Sequence, residues 1–181
     1  MDKMKAQLML LAEYNTWMNR QLYQVARQLP DESLNRDKKA FFGSILGSFN
    51  HILVGDLIWL RRFAQHPCAY SLSDALSTFP IPERLNQLVY EQFDTLWRQR
   101  SELDQVIEQW IKHLDEHTLT LALSYRSMEG TPYRRQLINL LMHFFTHQVH
   151  HRGQITTLLS QEGLDFGETD LLLTLPNEPE L

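Results

Sequence analysis

Apolar residues recur at intervals of three and four along four long stretches of this chain, the signature of helices with one buried face. The first stretch runs from about Met4 to Leu29 through Leu8, Leu11, Trp17, Met18, Leu22 and Val25, and Pro30 marks its stop. The second, from about Phe41 to Gln65, is apolar nearly all round and ends before Pro67. The third starts after Pro82 and carries Leu85, Leu88, Val89, Phe93, Leu96, Leu103, Ile107, Trp110 and Ile111. The fourth starts near Pro132, a residue suited to a first helical turn, and runs to Gln161, with Gly163 as its C-terminal punctuation. Between the third and fourth the period changes. Thr118 to Tyr125 alternates as a half-exposed strand does, and Met128-Glu129-Gly130 supplies turn residues. The span 65–82 reads as a loop and the chain after Gly163 as irregular. With no repeat, low-complexity tract or boundary in between, the pattern predicts one all-α domain over residues 1–181. It is a four-helix bundle with a short hairpin or extended crossover between helices 3 and 4.

Composition narrows the partners. The 181 residues carry 43% hydrophobic and 22% charged side chains, enough for a packed core and too apolar for a disordered chain. Formal net charge is −5, with no basic stripe, so nucleic acid is not the expected partner. No apolar run approaches a membrane span, and the N-terminus lacks a signal-peptide layout. Cys68 is the single cysteine, so no internal disulfide forms, which fits a reducing cytoplasm. Cys68 sits in a loop with no basic neighbour to activate it as a nucleophile. No glycine-rich phosphate loop, His-Glu-x-x-His or Gly-x-Ser-x-Gly element occurs.

The candidate chemistry lies in histidines. His147 and His151 are four apart, so on a helix their imidazoles stand on one face, a turn apart, within reach of one ion. A helical wheel places both at the edge of the apolar arc formed by Leu137, Leu140, Leu141, Phe144, Phe145, Ile155, Leu158 and Leu159, and places His143 and His150 outside it. Two half-buried, hydrogen-bonded histidines are the plainer alternative; the pair together with a third candidate, His51, favours a metal. His51 lies away from the apolar centre of the second helix, beside the small residues Ser44, Ser48 and Gly55, which leave space for a pocket. On the residues alone, ligand and structural histidine are equally open for it. Three neutral nitrogen ligands leave a coordination position free, as catalytic metal sites do, and imidazole suits Zn²⁺ or Ni²⁺. His113 and His117 read as a solvated helix end and His66 as loop. Asp56 reads as a buried polar contact to a neighbouring helix, in preference to an acceptor that orients a histidine. Gln148 and Arg152 point toward the apolar arc without an assigned role.

Four segments together resemble the DinB-like superfamily of metal-binding four-helix bundles. They are Tyr14-Asn15-Thr16-Trp17-Met18-Asn19, the run Asn50 to Leu60 around His51, the element His147-Gln-Val-His-His151-Arg152-Gly153-Gln154, and Thr169-Asp170-Leu171. The resemblance covers most of the chain. It implies a divalent-metal site of His51, His147 and His151 and a homodimer, with which the evenly apolar second helix agrees. Relatives of that kind include transferases and isomerases that use low-molecular-weight thiols such as bacillithiol, mycothiol or glutathione. The expectation is therefore a cytoplasmic, divalent-metal-dependent enzyme acting on a small molecule, with thiol S-transfer as the leading reaction. A non-enzymatic, stress-related metal-binding dimer and a metal-dependent hydrolase are the alternatives. No general base or other catalytic residue is identified.

Overall fold

Helices dominate the computed structural model, which describes residues 3–66, 69, 72–175 and 177. Four of them are long: α1 (Lys3–Ala26), α3 (Ile45–Phe63), α5 (Phe93–His113) and α7 (Leu137–Gln161). Short helices α2 (Asp31–Asn35), α4 (Leu72–Ala75) and α6 (Glu116–Thr120) fill the connections, and β1 (Ala122–Arg126) pairs antiparallel with β2 (Pro132–Gln136). The α1 helix packs on α5 and α7, and α3 packs on α7 and α5. One apolar cluster runs through all four long helices, from Leu8 on α1 and Leu53 on α3 to Leu103 on α5 and Leu141 on α7. No helix among the described residues is long and apolar enough to cross a membrane.

Local chemistry sets the helix ends. Ser44 caps α3 by accepting a hydrogen bond from the Gly47 amide at 2.9 Å. Gly47 also has no room for a side chain, since a Cβ there would lie 2.2 Å from the Phe42 carbonyl oxygen. Arg61 and Arg62 complete the last turn of α3, where cations complement the helix dipole. Past α7, Gly163 takes a φ of 79°, the left-handed conformation glycine adopts at little cost.

Two predicted boundaries are corrected. Helix α5 begins at Phe93, not after Pro82, and residues 83–92 are irregular. In that segment the apolar spacing does not mark a buried face, because Leu85 and Leu88 are exposed. Instead the segment straps across α3. The Asn50 side chain donates to Tyr90 O at 2.9 Å and accepts from Tyr90 N at 3.0 Å, and just upstream Arg61 donates to the carbonyls of Leu76, Phe79 and Pro80. At the other boundary, Pro132 opens β2 rather than a helix, and α7 starts five residues later. The expected strand from Thr118 splits into the end of α6 and then β1, which gives the hairpin its second partner.

The loop expected over 65–82 contains α4, and the expected loop setting of Cys68 lies outside the described residues. Residues Ile45 to Ile58 of α3 are buried without a break within this chain alone. The apolar residues of that helix are thus covered by the chain's own elements. The segment after Gly163 returns along α1, where Tyr14 donates to Thr169 O at 2.6 Å and Gln21 to Glu168 O at 2.8 Å.

Candidate metal centre

Helices α3 and α7 lie side by side, and their facing sides carry His51, His147 and His151. The structure brings all three together. The Nε2 of His151 lies 3.1 Å from that of His51 and 3.1 Å from that of His147. The ligand atoms of the three all fall within 4.8 Å of one another, and among the described residues the group has three members. An ion about 2.0–2.1 Å from each nitrogen in tetrahedral geometry would hold the nitrogens about 3.3 Å apart. The residues present therefore fit a divalent ion.

The outer nitrogens explain why the Nε2 atoms point inward. His51 Nδ1 lies 2.9 Å from the Leu85 carbonyl, and His151 Nδ1 lies 2.8 Å from Gln154 Oε1. A carbonyl oxygen only accepts, so each Nδ1 carries the proton and each Nε2 keeps a free lone pair. Acceptors of this kind orient and enrich metal-ligating imidazoles. Leu85 supplies its carbonyl because residues 83–92 are not helical. Had they been, the predicted helix would have used that oxygen internally.

Packing finishes the pocket. Gly55 sits one turn after His51, and a Cβ there would lie 3.0 Å from His147 Cε1, so the missing side chain is the room His147 occupies. The ring of Phe42 stacks on His51 at 3.6 Å between centroids and meets His151 edge-on at 5.4 Å. On the other side His143 stands 5.8 Å from His147 and 5.2 Å from Trp59.

Burial sets the charge state. It pushes His51 down to about 4, against the hydrogen bond to Leu85, and His147 down to about 3, helped by the neighbouring imidazoles. His151 is lowered by burial too, and His143 by burial and then by the positive charges of Arg135 and Arg62. At neutral pH the three clustered histidines are uncharged, the form in which imidazole binds a metal.

The interior also holds a buried polar layer that takes residues from every long helix. Asp56 on α3 pairs with Arg100 on α5 at 2.5 Å, and Arg100 reaches Asp104 at 2.8 Å. Asn15 and Asn19 on α1 donate to Asp104 at 3.2 and 3.0 Å, and Arg152 on α7 donates to Asn15 and, at 3.4 Å, to Gln148. Asp56 is thus the interhelical contact expected of it. Gln148 and Arg152 gain a role in this layer that the sequence reading left unassigned. His113 stands exposed at the end of α5, bonded to Gln109 O, and His117 is exposed on α6. His66 is buried in the turn after α3.

Sequence reasoning missed the Leu85 carbonyl, the Gln154 acceptor and the Phe42 stack. Gln154 stands three residues after His151, a helical spacing that places an acceptor beside that ring. No comparable signal exists for Leu85.

The sequence profile of the DinB family matches residues 3–180. Protein DinB of Bacillus subtilis strain 168 is 29% identical over 167 residues, which span 91% of this chain and 91% of that protein. No solved structure matches the chain significantly. With its profile match running nearly end to end and its three histidines gathered in one cluster, the chain belongs to the DinB family.

Proposed function

We propose that the chain is a divalent-metal-dependent enzyme of four-helix-bundle architecture, in which His51, His147 and His151 hold the ion. One observation carries this reading: three Nε2 atoms converge while two of the outer nitrogens are tied to acceptors. Three ligands among the described residues, rather than four, favour a catalytic over a purely structural centre. A bound divalent ion supplies Lewis acidity, which makes a thiol or water nucleophilic near neutral pH.

The chain's own residues do the rest. Leu85 O and Gln154 hold two imidazoles in the ligating tautomer. Phe42 and Gly55 fix ring positions, and burial keeps protons off the ligands. We assign thiol S-transfer with a low-molecular-weight thiol as the reaction and a homodimer as the assembly on the family resemblance, and Zn²⁺ or Ni²⁺ as the ion on the imidazole ligands. A cytoplasmic setting follows the lone cysteine, Cys68.

The test is metal content by mass spectrometry on untagged protein, wild type beside His51→Ala and His147→Ala/His151→Ala. About one ion per chain, lost in both variants, is expected. Turnover of electrophiles by the loaded protein, with and without added thiol, then separates transfer from hydrolysis. An absence of metal and of Zn²⁺ or Ni²⁺ uptake would sink the proposal.

A further inference from the structure

Net charge is −5, with 17 Lys and Arg against 22 Asp and Glu, yet one cleft of this protein is lined by arginines and no acid. The cleft, about 730 Å³, lies between the end of α3 and the hairpin, among Ile58, Arg62, Gln65, Tyr125, Arg126 and Arg134. Arg62 lies over two rings, with its guanidinium carbon 4.6 Å from the Trp59 centroid and 5.2 Å from that of Tyr125. Tyr125 in turn stacks on Tyr133 at 5.6 Å across the strand pair. Among the described residues none of Arg62, Arg126 and Arg134 has a carboxylate within ion-pair distance.

A matched case shows the contrast. Arg27 also lies over a tryptophan, Trp97, at 5.2 Å, but it pairs with Asp94 at 3.3 Å. In Arg62 the same arrangement leaves the donors without an anion.

We infer that this cleft binds the oxyanion group, carboxylate or phosphate, of a small molecule, with Arg62 and Arg134 as its ligands. A guanidinium fixed by stacking is pre-organised for an oxyanion and loses little freedom on binding one. The volume suits a small molecule. Trp59 links the cleft to the histidines: its ring lies 4.6 Å from the Arg62 guanidinium carbon and 5.2 Å from His143, and His143 stands 5.8 Å from His147. A chain of ring contacts, Arg62 to Trp59 to His143 to His147, thus connects an anion seated on Arg62 with the three histidines. The functional meaning of that connection rests on the proposed function, whereas the anion site does not.

The test is calorimetric titration of the full chain at low ionic strength with inorganic phosphate and, in a separate arm, with succinate. The two arms tell which oxyanion is preferred. One saturable event per chain is expected, weakened about tenfold or more by Arg62→Gln and by Arg134→Gln. It should be unchanged in Arg27→Gln and in His147→Ala/His151→Ala. Circular dichroism checks folding, and Arg134→Gln, at an exposed strand position, carries the test if Arg62→Gln does not fold. Several results would overturn the inference. They are no saturable binding of either anion, equal weakening in Arg27→Gln, and loss of binding in the histidine variant. The others are a short single-stranded RNA that binds where neither small anion competes, and a dimer that dissociates in Arg62→Gln. Metal content, read separately, decides the histidine centre, so either idea can fail while the other stands.

Discussion

His51 Nδ1 donates its proton to the backbone carbonyl of Leu85 at 2.9 Å, and this bond leaves the opposite nitrogen, Nε2, facing the other two histidines. The acceptor belongs to a strap that Asn50, the neighbour of His51, ties down through both its amide atoms. Strap and ligand are thus fixed from two consecutive residues of one helix.

Asn50→Ala should therefore weaken metal binding without touching a ligand. The substitution leaves Tyr90 N and O without their partner, at a cost of about 1–3 kcal/mol in stability. Freed from its tie, the strap holds the His51 tautomer less firmly, and Zn²⁺ affinity is expected to fall about tenfold. Competition with a chromophoric chelator measures the second effect and urea denaturation the first. Unchanged affinity would show that the strap does not orient His51.

Gly55→Ala tests the room made for His147. Alanine is a better helix former than glycine by roughly 1 kcal/mol. Its Cβ, however, arrives 3.0 Å from the imidazole. The expected result is a protein of near wild-type melting temperature whose Zn²⁺ affinity is about tenfold lower.

Acid should destabilise the metal-free protein. The folded-state values of His51 and His147 are depressed to about 4 and about 3, below the ordinary imidazole value of 6.5. The unfolded chain therefore takes up protons first. The stability these groups contribute is fully present above about pH 6.5 and is lost as pH falls from there toward their folded values. Melting temperatures of metal-free wild type should drop across that window, and less steeply in His51→Leu. Equal slopes in the two would show that the depressed values do not govern acid stability.

Breaking the buried layer should be costly. Arg100→Met strands both Asp56 and Asp104 in the interior, with an expected loss of about 3–5 kcal/mol. The triple variant Arg100→Met/Asp56→Leu/Asp104→Leu removes all three charges and should recover much of that loss. Chemical denaturation of both variants checks the pair.

How much of this was legible depends on where each signal resides. His147 and His151 stood out because helical period and ligand spacing coincide in one segment. Asp56 showed its interhelical character through its place on an apolar face. The strap was hidden for the opposite reason: Leu85, Leu88, Val89 and Phe93 keep a helical rhythm, but only Phe93 of these is deeply buried. Tertiary bonds from Asn50 and His51 decide that segment, and no local pattern records them. The strand Pro132–Gln136 was equally silent, since all five of its residues are exposed and its pairing signal lies in Ala122–Arg126.

The polar layer carries two arginines, Arg100 and Arg152, and two aspartates, Asp56 and Asp104, all buried. It takes a residue from each long helix and none from the histidine cluster. Sliding any helix by one turn would break those pairs, so the layer acts as a vernier that sets the axial alignment of α3 and α7 before any ion arrives. The register of such a frame does not depend on the three imidazoles, so variants that lose them are expected to keep the helices in place.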